Sequence, residues 1–189
     1  QWVKGSNIDR LFGRSAEEPL RVRFFNGCFI DARLVKADPD LGYLNTPNTE
    51  GYSIRVFGRT NFVVPKPFDL SAFSRSGLRI QAASFRINSL GNRGPEMPKV
   101  KPAQTRRRVF LGDSVTFGYY VEEEDTFVSG VGRELSALVP APYHIETVNA
   151  GVSSLNAQQI FYHLRKRALG WSADVIFWDF YANNILKTA

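Results

Sequence analysis

Three short segments of the chain hold the residue types that acyl transfer to a serine requires. Gly112-Asp-Ser-Val-Thr-Phe-Gly118 carries Ser114, a hydroxyl nucleophile in a tight turn where Gly112 permits an unusual backbone path. Asn149-Ala-Gly-Val-Ser153 carries Gly151, which lets a substrate approach a backbone N–H closely. Tyr181-Ala-Asn-Asn184 carries Asn183, an amide donor. The N–H groups of Ser114 and Gly151 and the Asn183 side chain are three donors. Converging on one point, they stabilise the oxyanion of a tetrahedral intermediate. Each segment alone has an ordinary structural meaning: Gly-Asp-Ser is a common turn, Gly151 can end a strand, and Asn183 and Asn184 can cap one.

Their placement sets them apart, because each follows an apolar run. Arg108-Val-Phe-Leu111 reads as a first strand, His144-Ile-Glu-Thr-Val148 as a second and Val175-Ile-Phe-Trp178 as a third. Between the first two, Asp125 to Val139 carries Phe127, Val131, Leu135 and Leu138 on one helical face, and Pro140 and Pro142 stop it. Between the second and third, a helix begins with Asn156 as N-cap and Gln159 three residues on, a capping-box pattern, with Ile160 and Leu164 inward. Arg165-Lys-Arg167 occupies its later turns, where cations suit the helix dipole. This alternation predicts a parallel sheet with right-handed crossovers, whose sites form at the carboxyl ends of the strands. The third run is so continuously apolar that burial on both faces is expected.

The first half has a different rhythm. Leu20 to Phe24, Tyr52 to Val56, Leu78 to Ile80 and Phe85 to Ile87 alternate apolar and polar residues, as half-buried strands do. Turn formers separate them: Asn26-Gly27, Asp38-Pro-Asp40 and Asn45 to Asn48, with Gly51 and Gly58 beyond. The division expected is a β-rich domain over 1–98, a proline-containing linker over 99–105 and an α/β unit over 106–189.

The second half resembles the SGNH (GDSL-type) hydrolases. Arg86 to Glu96 looks like the loop before the first strand in one large branch, and Leu41-Gly-Tyr43 like a weaker upstream match. Val109 to Gly118 resembles the serine block, Glu124-Asp-Thr-Phe127 the entry to the first helix, Val148-Asn-Ala-Gly151 the glycine block and Phe180 to Asn184 the asparagine block. The asparagine block departs from the usual Gly-x-Asn-Asp, with Tyr181 for the glycine and Asn184 for the aspartate. The resemblance covers residues 86–189. It implies an α/β fold with a flavodoxin-like three-layer parallel sheet, of which this chain holds part. Ser114 would be the nucleophile, with Gly151 and Asn183 as oxyanion donors. It further implies no cofactor, a carbohydrate or small-molecule ester as substrate, and an extracytoplasmic location.

A serine nucleophile needs a base, commonly an imidazole oriented by a carboxylate. The family takes both from an Asp-x-x-His block, which is absent from these 189 residues. His144 opens the second strand, on the order of 15–20 Å from the strand end at ~3.3 Å per residue. His163 lies two turns into a helix, roughly 10 Å beyond its N-terminus at ~1.5 Å per residue. Neither is expected to reach Ser114. The base and its carboxylate are therefore expected downstream, with a C-terminal continuation or another chain covering the third strand. A binding or structural protein that keeps the fold without the chemistry is the alternative, and an O-acyltransferase would use the same groups.

Composition narrows the remaining classes. Hydrophobic residues at 43% and charged residues at 22% suit a folded globular chain, and no apolar run approaches a membrane span. The chain opens on Gln1, as a processed or trimmed product would. The one cysteine, Cys28, excludes an intrachain disulfide framework, and with only two histidines beside it no zinc cluster is expected. Net charge is +6, but residues 1–105 hold 16 Lys and Arg against 9 Asp and Glu, while 106–189 hold 8 against 9. The basic residues of the first half are scattered apart from one cluster, Lys99 to Arg108. They read as solvated surface, so no nucleic-acid partner is expected; polyanion binding by that half is the competing reading.

Overall fold

The computed structural model describes residues 28–59 and 61–181, with the backbone of Val22–Phe25. Among the described residues the chain is mixed α/β, with four α-helices and a parallel three-stranded sheet. A five-stranded sheet comes first, in the order β1-β2-β6-β5-β7. Its members are β1 (Val22–Phe25), β2 (Cys28–Asp31), β5 (Thr49–Val56), β6 (Asn61–Pro65) and β7 (Ile80–Ile87). Between β2 and β5, β3 (Val35–Asp38) and β4 (Gly42–Asn45) form an antiparallel hairpin. A short helix α1 (Ser71–Arg75) precedes β7. The Asn26-Gly27 turn lies outside the described residues.

Two local readings of this half change. Leu78–Ile80 and Phe85–Ile87 are not separate runs, because Ile80 to Ile87 pairs continuously with Val56 to Thr49. Gly51 is no turn residue but a buried position in β5, where a Cβ would lie 2.6 Å from both the Phe85 ring and the Val64 carbonyl. The missing side chain lets β6 and β7 close on that strand.

The parallel sheet has the order β10-β8-β9, with the first strand in the middle. Its strands are β8 (Thr105–Gly112), β9 (His144–Gly151) and β10 (Val175–Trp178). The central strand begins at Thr105, inside the stretch read as linker. The helices α2 (Ser114–Phe117), α3 (Phe127–Leu138) and α4 (Ala157–Lys166) connect the strands. Successive β8 side chains face opposite ways. Val109 and Leu111 pack with Ile160 of α4, while the Phe110 ring meets Phe127 of α3 edge-on at 5.8 Å, so each sheet face carries a helix.

The capping box of α4 forms as the sequence indicates, with Gln159 N–H donating to Asn156 Oδ1 at 2.8 Å and Asn156 N–H to Gln159 Oε1 at 3.0 Å. The apolar face of α3 is rotated from the expected one. Val128 is its buried residue, whereas Phe127 and Leu138 are exposed. Gly132 gives α3 its close seat on β9, since a Cβ there would lie 2.8 Å from Thr147 Oγ1. β10 also departs from expectation. It is the outer strand of its sheet among the described residues, and Val175, Phe177 and Trp178 are each about 40% exposed.

Packing crosses the division drawn from sequence. Leu41, Leu44 and Met97 join Val109, Leu111, Val148, Ile160 and Trp171 in one core, and Phe117 joins Ile30, Val63, Phe85 and Ile87 in another. Within the Lys99–Arg108 cluster, Lys99 and Arg106 are exposed but Arg107 is not. Arg107 is fully buried, and its guanidinium donates to the carbonyls of Pro98, Lys99 and Trp171 and to the Glu146 carboxylate.

His163 packs edge-on to Trp171, 5.8 Å between centroids, and burial pushes its pKa down to about 4, with the Arg167 cation adding to the shift and Asp38 opposing it. The unfolded chain, titrating near 6.5, then takes up this proton first as pH falls. Stability contributed above pH 6.5 is lost between pH 6.5 and 4, on the order of 3 kcal/mol for a shift of this size. His163→Phe should flatten that decline in urea midpoints measured from pH 7 to 4; a wild-type midpoint constant over this range would contradict the assignment.

Candidate active site

The register of the parallel sheet brings the chemistry-bearing segments to one end. Gly112 pairs with Gly151, and Leu111 with Trp178, so the turns after all three strands leave from the same edge. Ser114 starts α2 directly after β8. Asp113, 1% exposed, caps that turn by accepting from the Val115 N–H at 2.9 Å, and Gly118 ends it with φ 81°, a left-handed C-cap. Thr116 Oγ1 donates to Asp179 Oδ2 at 2.7 Å, tying the turn to the end of β10. Gly112 has no left-handed backbone. Its missing Cβ instead admits the Thr116 hydroxyl, which a Cβ would meet at 1.9 Å.

Gly151 has a similar steric role. A Cβ there would lie 2.2 Å from the Phe117 nitrogen and 2.7 Å from its Cα, so the glycine seats α2 against the end of β9. Its N–H donates to Asn149 Oδ1 at 3.1 Å, and its carbonyl accepts from Asn45 Nδ2 at 3.1 Å. Asn183 and Asn184 lie outside the described residues.

A cleft of about 630 Å³ opens over Ser114. Val115, Gly118 to Val121 and Phe127 line it from the α/β unit, and Cys28 and Asn61, paired across β2 and β6, from the five-stranded sheet. From β9's exit come Ser153 and Ser154, not Gly151. Ser154 holds φ 62°, a left-handed conformation that costs a non-glycine residue of order 1 kcal/mol. The turn is anchored from beneath, where Tyr43 OH donates to the Ser153 carbonyl at 2.7 Å. Ser154 is not conspicuous in the sequence, because a serine carries no mark of a left-handed position as glycine would.

Burial raises the hydroxyl pKa of Tyr43, Tyr119 and Tyr120 and pushes the Cys28 thiol up to about 11, so all four stay protonated near neutral pH. Neither histidine lines the cleft. His144 sits at the opposite end of β9, its Nε2 3.0 Å from Thr105 Oγ1, and His163 is in the core. Among the described residues no cluster of His, Cys, Asp and Glu could hold a metal ion, and no helix is long and apolar enough to cross a membrane. No family model matches the chain, and no curated protein or solved structure matches it.

Proposed function

We propose that the chain carries the nucleophile side of a serine esterase of the SGNH type, with the flavodoxin-like sheet of that family. The observation that carries this reading is the pairing of Gly112 with Gly151, which sets the Ser114 turn and the Ser153–Ser154 turn side by side over one cleft. Ser114 Oγ attacks the ester carbonyl carbon while its proton passes to a base. The negative oxygen of the tetrahedral intermediate takes donors from the Ser114 N–H, the backbone of the turn after β9 and the Asn183 amide. Collapse breaks the bond to the alcohol, which leaves with the proton, and water then releases the acid from the acyl-enzyme. Gly151 belongs to this machinery through packing, since its N–H is already engaged by Asn149. The base and its carboxylate come from outside the described residues, from further chain or another subunit that also covers β10. A carbohydrate or small-molecule O-acyl ester is the substrate class, and transfer to an acceptor hydroxyl would use the same groups.

A non-catalytic binding role is the second reading, favoured by the lack of a histidine among the residues that line the cleft. Hydrolysis of an aryl acetate by the full-length protein separates the two. The esterase reading expects turnover that Ser114→Ala lowers by about 10³-fold or more. The 189 residues alone should turn over little, since neither histidine reaches Ser114. Equal rates for wild type and Ser114→Ala would support the binder.

A further inference from the structure

Arg93 is a cation with 3% of its surface exposed, and the chemistry above makes no use of it. Its Nη1 donates to the Phe117 carbonyl at 2.9 Å and to that of Gly118; its Nη2 donates to Val121 O at 2.8 Å and to Ser84 O at 3.4 Å. The guanidinium lies 5.2 Å from the Phe117 ring centroid. Its backbone N–H donates to Asn149 O at 3.0 Å, and the residue bridges Ile87 of β7 to Asn149 of β9. Asn149 Nδ2 in turn donates to Phe117 O at 3.3 Å. Nearby, Glu122 accepts from the Ser84 N–H at 3.1 Å and its hydroxyl at 2.7 Å, and Glu123 pairs with Arg86 at 3.1 Å.

These contacts converge on one short segment. Residues 117–121 end the nucleophile turn, and Gly118, Tyr119, Tyr120 and Val121 also line the cleft. The last carbonyls of a helical turn have no intrahelical donor, and a planar guanidinium can satisfy several at once where an ammonium cannot. We infer that Arg93 is a positioning residue: it fixes the 117–121 segment, and through it Ser114, to the five-stranded sheet. The β-rich layer thereby sets the geometry of the site as well as one wall of the cleft.

The catalytic part of this inference rests on the esterase reading; the structural part does not. Amide hydrogen exchange on wild-type, Arg93→Lys and Arg93→Gly full-length protein tests it first. Residues 117–121 should exchange at least ~10-fold faster in both variants, with β8 and α4 amides unchanged. Unchanged protection of 117–121, or a uniform loss across β8 and α4, would overturn the inference. In aryl acetate hydrolysis both variants should lose roughly 10²-fold in kcat with KM little changed, as for a misplaced nucleophile. Added guanidinium ion at non-denaturing concentration should restore Arg93→Gly in both measurements, and methylammonium should not. Rescue by both cations alike, or a purely KM effect, would overturn the positioning role. Absence of turnover in the wild type would count against the esterase reading alone, leaving exchange and its rescue to decide Arg93.

Discussion

Arg107→Ala is expected to lower the free energy of unfolding by about 2–4 kcal/mol, because it strips the donor from the buried Trp171 carbonyl and from three partly buried acceptors. The guanidinium, itself fully buried, joins the 98–99 stretch, the buried Trp171 carbonyl and the partly exposed carboxylate of Glu146 on β9. Removing it leaves three carbonyls and one carboxylate without their donor, and each buried unsatisfied group costs about 1–3 kcal/mol. The Arg107 backbone N–H, which donates to Asp174 Oδ2 at 2.7 Å, survives the substitution. Arg107→Lys should recover only part of the loss, because an ammonium cannot reach three directions in one plane. Arg108→Ala is the control: its ion pair with Asp174, at 3.8 Å and partly exposed, is worth about 0–1 kcal/mol. Urea unfolding followed by tryptophan fluorescence measures all three. A loss under 1 kcal/mol for Arg107→Ala would contradict the role assigned to it.

Gly151→Ala should be the most damaging single methyl in the chain's second half. The new Cβ would sit 2.2 Å from the Phe117 nitrogen, 2.7 Å from its Cα and 2.8 Å from the Thr116 carbonyl carbon. These are backbone atoms, so relief requires moving α2 or the end of β9. Overpacking of this kind costs about 1–3 kcal/mol, and displacing a catalytic group by an ångström costs roughly 10²-fold in rate. Both effects are expected together, in urea unfolding and in aryl acetate hydrolysis by the full-length protein. Gly130→Ala supplies the contrast, since a Cβ there meets only the Arg133 guanidinium at 3.9 Å. It should be neutral or stabilising by up to ~1 kcal/mol. Wild-type stability and rate in Gly151→Ala would remove the steric account of that position.

The α/β half was largely legible in the sequence. Val175–Trp178 and the Asn156–Gln159 capping box stand where residue pattern placed them, because a short apolar run and a reciprocal side-chain cap are local signals. Of the three strand-end segments, the Gly112–Gly151 register brings two side by side, while Asn183 and Asn184 of the third lie outside the described residues. What escaped depends on distant partners. The inward face of α3 was misjudged because a period of 3.6 admits neighbouring stripes, and only contact with β9 selects Val128 over Phe127. Gly51 looked like a turn because nothing nearby in sequence announces the Phe85 ring and Val64 carbonyl pressed against it. The places of Arg93 and Arg107 stay hidden in sequence because most of their acceptors are backbone carbonyls, which no side-chain pattern reveals. That Gly112 and Gly151 also clear space for α2 is hidden for the same reason, since the atoms they clear are not adjacent in sequence.

The claim that Ser114 is an activated nucleophile is tested most directly by its covalent chemistry. Full-length protein treated with a serine-directed phosphonate and digested for mass spectrometry should carry one adduct, on the peptide containing Ser114. Ser114→Ala should carry none, and neither should urea-unfolded wild type. Folded wild type that stays unlabelled, or that is labelled equally with Ser114 replaced, would contradict the account.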